Sequence, residues 1–294
     1  MNLEPPVGSS TYPYYSDTME NAKPRSRKFF PYLVLSLLVC VGVFFIFFFS
    51  TRSSNTPAAT ASSLPTITSP ERTPLAEITN SAEISESGQK VIYLTFDDGP
   101  GPYTAKLLDS LKKYDVKVTF FVTGAGDDAL IAREYNEGHT VGLHTYTHDY
   151  AYVYSSLDNF FTDLYEIQAR VKNITGQTSM LTRFPGGSSN LISARYDGGI
   201  GIMSRLSEEL PARGFTYFDW NISSGDAGGA TTSSEVYQNV INALSPNYSV
   251  VLQHDIKDFS VDAVEDIIKY GKANGYTFKK LDAGSFTAHH GINN

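Results

Sequence analysis

From Gln89 onward the chain alternates. Short runs rich in β-branched and aromatic residues read VIYLTF, VKVTFFV, HTVGLH, SMLTRF, FTYFDW, YSVVLQH and YTFKKL. Between them lie helix-like stretches: YTAKLLDSLKKY, DDALIAREYNEG, LDNFFTDLYEIQARVKNI, IMSRLSEELPARG, SSEVYQNVINAL and VDAVEDIIKYGKANG. No other feature constrains the fold as strongly. Seven strands with six intervening helices form a βα repeat, which closes as a parallel barrel or spreads as a doubly wound sheet. Gly138, Gly176, Gly214 and Gly275 fall where helices should end, consistent with C-terminal caps.

The upstream part has a different character. Residues 29–50 carry no charge. As unbroken helix they would rise roughly 33 Å, enough to cross a bilayer core of ~30 Å. Pro31 falls in the first turn, where a missing N–H costs little. Lys23, Arg25, Arg27 and Lys28 precede the run and only Arg52 lies just after it, which places the N-terminus in the cytoplasm and the remainder outside. The rival is a cleaved signal peptide, but Ala59-Thr60-Ala61 lies well past the apolar run. The expected layout is a disordered cytoplasmic tail (1–28), a transmembrane anchor (29–50), a Ser/Thr/Pro-rich stalk (51–88) and a catalytic domain (89–294). The single cysteine, Cys40, lies in the apolar run, so the outer part has no disulfide. Residues 53–294 hold 18 Lys/Arg against 28 Asp/Glu, a balance of −10. That acidity argues against nucleic acid or anionic lipid as a partner and leaves a neutral polysaccharide open.

Polar residues gather at the strand ends. Asp97 and Asp98 follow the first run, His144 and His148 end and follow the third, and Arg183 lies at the fourth. Asp219 and Trp220 lie at the fifth, and His254 ends the sixth. In a βα barrel those ends form one face, where active sites are built. Each residue alone has a plainer explanation. "TFDDGP" (95–100) is rich in turn formers, and "HTYTH" (144–148) holds two of only six histidines at a spacing that arises by chance. Arg183 in "RFPGG" can be a surface arginine, Trp220 a core residue and His254 a neutral core histidine. Taken together, an Asp-His-His set suits Zn²⁺ with open positions, and a second aspartate can act as a base on water. Arg183 can keep one aspartate ionised by a bidentate contact, and His254 can serve as a general acid. Gly199 and Gly201 lack the third glycine of a dinucleotide site, since position 204 is Ser. Asn173, Asn221 and Asn247 fit glycosylation spacing by chance.

"TFDDGP", "HTYTH", "RFPGG", "FDW" and "LQH" together resemble, in order and spacing, the polysaccharide deacetylases, carbohydrate esterase family 4. The resemblance runs from residue 91 to about 282 and is greatest to the extracytoplasmic peptidoglycan deacetylases of bacteria. It implies a distorted (β/α)7 barrel. It also implies Asp97 as general base and Asp98, His144 and His148 as ligands of a divalent metal, usually zinc, otherwise cobalt, nickel or manganese. Arg183 would orient Asp97, His254 would protonate the leaving amine, and Asp219 would tune His254. Pro185, Gly186, Trp220 and Leu252 would contact substrate. One departure stands out: the family often has Tyr after the motif proline, where this chain has Gly186. The implied reaction is N-deacetylation of N-acetylglucosamine in peptidoglycan. Chitin oligomers, poly-N-acetylglucosamine, N-acetylmuramic acid and acetylxylan remain alternative substrates, and a catalytically silent glycan-binding module is the alternative of another class.

Overall fold

The computed structural model describes residues 89–294. They begin with β1 (Lys90–Asp97), α1 (Thr104–Lys113), β2 (Thr119–Val122), α2 (Asp128–Asn136) and β3 (Thr140–Leu143). Two helices follow in succession, α3 (Tyr150–Val153) and α4 (Leu157–Thr175), before β4 (Leu181–Thr182). A 3₁₀ turn (Ser193–Arg195) leads to α5 (Ile202–Ala212), β5 (Thr216–Tyr217) and β6 (Ile222–Ser223). The chain ends with α6 (Ser233–Ala243), β7 (Tyr248–His254), α7 (Asp258–Ala273) and β8 (Tyr276–Phe278).

Every strand pairing is parallel, in the order β5-β4-β3-β2-β1-β7-β6. β8 joins the N-terminal half of β1. β5 and β6 do not pair, so the sheet curves into a half-barrel with one gap. The segment after β8 lies in that gap. Asp219 N–H donates to Thr287 O at 3.2 Å, His289 Nε2 reaches Tyr217 O at 2.9 Å, and Ala288 is buried. The expected barrel is thus present in a parallel, open form. It has eight strands rather than seven, because β6 is only two residues long and shows no alternation.

Strand alternation sorts the residues into two cores. Ile92, Leu94 and Phe96 of β1 face outward and join Leu107, Leu108 and Leu111 of α1 and the apolar faces of α4 to α7. Val91 and Tyr93 face inward with Phe121, Val250, Phe218 and Leu281. The same inward column continues to Thr95 and Asp97, so an apolar floor rises to a polar mouth. Gly142 belongs to the inward set of β3, and a Cβ there would fall 2.6 Å from the Phe121 ring. The glycine makes room for that ring beneath His144.

The anchor expected at 29–50, the tail before it and the stalk after it lie outside the described residues. Among the described residues no helix is long and apolar enough to cross a membrane.

Candidate active site

The register of β1 against β7 sets Asp97 directly opposite His254 and Thr95 opposite Leu252. With period-two alternation, Leu252 and His254 share the inward face. The candidate base and acid therefore sit side by side at one mouth because two long strands pair in full.

Asp97 is only 2% exposed, and one of its oxygens accepts from an Arg183 N–H at 2.9 Å. Arg183 is wholly buried. The same terminal nitrogen also donates to Thr95 Oγ1 at 2.6 Å, and the others donate to the carbonyls of Phe218 and Asp219 at 3.1 and 2.9 Å. The guanidinium lies 4.4 Å from the Phe121 ring centre and 5.7 Å from that of Trp220. Its grip on Asp97 is a single contact, not the bidentate one expected, because its other donors hold the Thr95 hydroxyl and two backbone carbonyls. Burial pushes the Asp97 carboxyl above its ordinary value against the pull of Arg183 and His254.

Asp98 does not continue the strand. Its φ of 71° turns its carboxylate toward the histidines, and Gly99–Pro100, a cis peptide, carries the chain away. Thr145 and His148 are also left-handed, at 64° and 51°. Three non-glycine residues in this conformation within one site are a local strain that the surroundings must hold. Asp98 Oδ1 lies 3.5 Å from His144 Nε2 and 3.3 Å from His148 Nε2. The three ligand atoms fall within 4.8 Å of one another.

The donor chemistry fits a cation. His144 Nδ1 is 2.8 Å from the Arg183 carbonyl, an acceptor, so Nδ1 carries the proton and Nε2 presents a lone pair. Burial and the neighbouring His148 depress its pKa to about 3, which keeps the ring neutral. That lone pair faces Asp98 Oδ1, a buried carboxylate oxygen with no hydrogen-bond donor. Two acceptors opposed in a buried place are a donor set that fits a cation. The second ring, His148, is partly exposed, leaving the outer side of the site accessible.

His254 is held by Asp226, not by Asp219. Asp226 Oδ1 accepts from His254 Nδ1 at 2.8 Å, and Oδ2 accepts from His254 N–H at 2.7 Å and Ser260 Oγ at 2.6 Å. Burial opposes protonation of His254, but the hydrogen bond and charge of Asp226, joined by Asp98 and Asp97, push its pKa up to about 9. Its Nε2 faces the cleft, 3.9 Å from Asp98 Oδ2. Asp219 instead accepts from Ser188 N–H and Oγ at 2.8 and 2.5 Å and from His290 N–H at 2.9 Å. The expectation that Asp219 tunes His254 is thus corrected: it fastens the loop after Gly187 and the C-terminal segment. Asp226 was missed in sequence because it lies in SGDAGG, a stretch that reads as a turn.

The remaining expected residues lie by the same strand ends, with Pro185 and Leu252 buried, Trp220 partly exposed and Gly186 exposed. Phe184-Pro185-Gly186-Gly187 is a tight turn closed by Gly187 N–H to Phe184 O at 2.8 Å. Gly186 is exposed while Pro185, Gly187 and Ser188 are buried, and Gly187 backs onto the Trp220 ring. Trp220 is steadied by the edge of His290, 4.8 Å away.

An α/β half-barrel with an Asp-His-His cluster, a buried Asp–Arg pair and a carboxylate-held histidine defines a hydrolase of the metal-dependent kind. Residues 85–201 match the family model described as polysaccharide deacetylase. A peptidoglycan-N-acetylglucosamine deacetylase of Bacillus cereus is 34% identical over 257 residues, 84% of this chain and 90% of that protein. The crystal structure of the catalytic domain of a peptidoglycan N-acetylglucosamine deacetylase from Eubacterium rectale superposes with a TM-score of 0.69 at 51% identity, covering 71% of this chain and 96% of that one. A peptidoglycan-N-acetylmuramic acid deacetylase of Bacillus subtilis, PdaA, is 31% identical over 204 residues, 68% of this chain and 73% of that protein. The chain belongs to the polysaccharide deacetylase family and is a hydrolase of that type.

Proposed function

We propose that this enzyme removes acetyl groups from N-acetylglucosamine residues of peptidoglycan. The observation that carries the reading is the convergence of the donor-less Asp98–His144–His148 cluster with the paired Asp97 and His254 at one mouth. Relatives named for N-acetylglucosamine favour that sugar over N-acetylmuramic acid. A cell-surface location is part of the reading and rests on the uncharged run 29–50 and the basic residues before it.

Asp98, His144 and His148 would hold a divalent cation, with zinc best suited to two imidazoles and a carboxylate. Such an ion supplies Lewis-acid polarisation of the amide carbonyl and of water. The protein's own groups do the rest. Asp97, fixed by Arg183, takes a proton from the attacking water. The exposed Gly186 N–H donates to the carbonyl oxygen as negative charge grows on it. His254 delivers a proton from Nε2 to the amide nitrogen while Asp226 holds Nδ1. The C–N bond breaks, leaving acetate and a free amine.

The test is acetate release by the purified zinc-loaded protein from peptidoglycan, chitin oligomers and acetylxylan. Peptidoglycan should be the best substrate, and chelation should abolish release. Asp97→Asn should keep zinc and lose at least about a hundredfold in kcat, whereas His148→Ala should lose zinc as well. Normal turnover and equal zinc content in both variants would refute the assignment. Absence of release from every substrate would favour a silent glycan-binding module.

A further inference from the structure

We propose that Tyr154 is a positioning residue that aims the Gly186 N–H into the cleft, acting through the carbonyl of Pro185. The proposal rests on the deacetylase reading above and adds a residue to it. Pro185 and Gly186 are the central pair of the turn Phe184–Gly187, and Gly186 has φ 75°. That is the type II arrangement, with Pro at the second place and Gly at the third. Glycine tolerates φ of either sign, so it does not by itself hold the central peptide one way up. The orientation is chosen by whatever holds the peptide's carbonyl. Tyr154 Oη donates to Pro185 O at 2.7 Å. In a trans peptide the C=O and the following N–H point in opposite directions. Anchoring the carbonyl inward therefore turns the Gly186 N–H outward. That N–H has no acceptor among the described residues, in the one residue of the turn that is exposed.

Tyr154 is built for this task. It is fully buried, its ring stacks on Phe160 at 6.3 Å, and burial keeps its phenol protonated and so a donor. It directly follows α3, whose first residue, Tyr150, lies with its ring 5.6 Å from that of Tyr154. Tyr150 stands edge-on to His148 at 5.4 Å, and its Oη would lie 2.9 Å from a Cβ on Gly186. One short segment thus carries a candidate metal ligand, covers one face of the turn and fastens its carbonyl. The N–H and the cation site are thereby held in one frame.

The experiment compares zinc-loaded full-length wild type with Tyr154→Phe on an N-acetylglucosamine tetramer. The ring is kept and only the hydroxyl is lost. The expected result is a kcat lower by about tenfold to a hundredfold, with KM within about twofold and zinc content unchanged. The Gly186 amide resonance should shift on adding acetate to the wild type and should not shift in the variant. Tyr114→Phe, which also removes a phenol hydrogen bond (to Glu265 Oε2, 3.0 Å) on the outer helices, should leave kcat unchanged. An active wild type with an unaltered Tyr154→Phe, an acetate shift that persists in it, or an equal loss in Tyr114→Phe overturns the proposal alone. A wild type that releases no acetate overturns the deacetylase reading and this proposal with it.

Discussion

Asp219 and Asp226 share one stretch of chain yet serve different partners. Both are buried, and both accept from a backbone N–H and a serine hydroxyl. Asp226 adds a hydrogen bond to the His254 imidazole at 2.8 Å, whereas the ring beside Asp219 is His290, 3.9 Å away, and that difference separates a proton-transfer role from a scaffolding role. The consequence is a pH prediction with a defined sign. The acid must be protonated to work, and Asp226 is the largest influence raising the His254 pKa against burial. Asp226→Asn removes that charge, so the alkaline limb of the kcat profile should move to lower pH by at least about one unit. Activity above about pH 8 should drop with it. Asp219→Asn should leave the alkaline limb where it is and lower thermal stability instead. Measured kcat–pH profiles decide between them; an alkaline limb that moves in Asp219→Asn and stays in Asp226→Asn would restore the original assignment.

At the scale of elements, what could be read from sequence follows from length and alternation. β1 and β7 are buried over nearly all their length and show as continuous β-rich runs, and Asp97 and His254 are legible because they end those runs. The long helices show their period and, in Gly176, a left-handed cap. β4 and β5 are two residues each but sit inside the β-rich runs SMLTRF and FTYFDW, whereas β6, also two residues, is held in place by tertiary contacts that leave no pattern behind. α3 is a single turn in a tyrosine-rich stretch, so its hold on Pro185 is invisible until the fold brings residues 154 and 185 together. Gly186 shows how that hold constrains the chain. Alanine there must adopt φ 75°, at a cost of about 1–2 kcal/mol, and its Cβ must displace the Tyr150 hydroxyl 2.9 Å away. Gly186→Ala should therefore lower stability by about 2 kcal/mol. Adding Tyr150→Phe should return about 0.5–1 kcal/mol by removing the clashing oxygen. Denaturant unfolding of the four proteins of the cycle checks this, and simple additivity would show that the two residues do not meet.

For the molecule as a whole, the open edge of the half-barrel is the structural problem to be solved. A parallel sheet is stable when both faces and its edges are covered. Here β5 and β6 leave their facing edges unpaired with each other, and the chain's last residues occupy the space. Phe286 stacks on Tyr248 at 5.5 Å, and Thr287 O and His290 N–H bond the backbone and side chain of Asp219. Asn293 Nδ2 donates to Ser189 O, and Asn294 O accepts from Ser204 N–H and Oγ at 2.7 and 2.9 Å. The same segment therefore seals the fold and steadies Trp220 and the loop after Gly187. The site depends on it although no residue of it reaches the metal cluster. Deleting residues 285–294 removes several part-buried hydrogen bonds worth up to about 1 kcal/mol each together with the stacked ring, so unfolding free energy should fall by about 3–5 kcal/mol. The surviving folded protein should bind zinc as before, since Asp98, His144 and His148 hang from β1 and β3, which lie away from the gap. Its kcat/KM should fall at least about tenfold because Asp219, which holds Ser188 beside the turn carrying the Gly186 N–H, loses the contacts from Thr287 and His290 that fix it. Zinc stoichiometry, denaturant unfolding and acetate release on the truncated protein test all three parts. A truncated protein with native stability and native kcat/KM would mean that the half-barrel closes without its C-terminal segment.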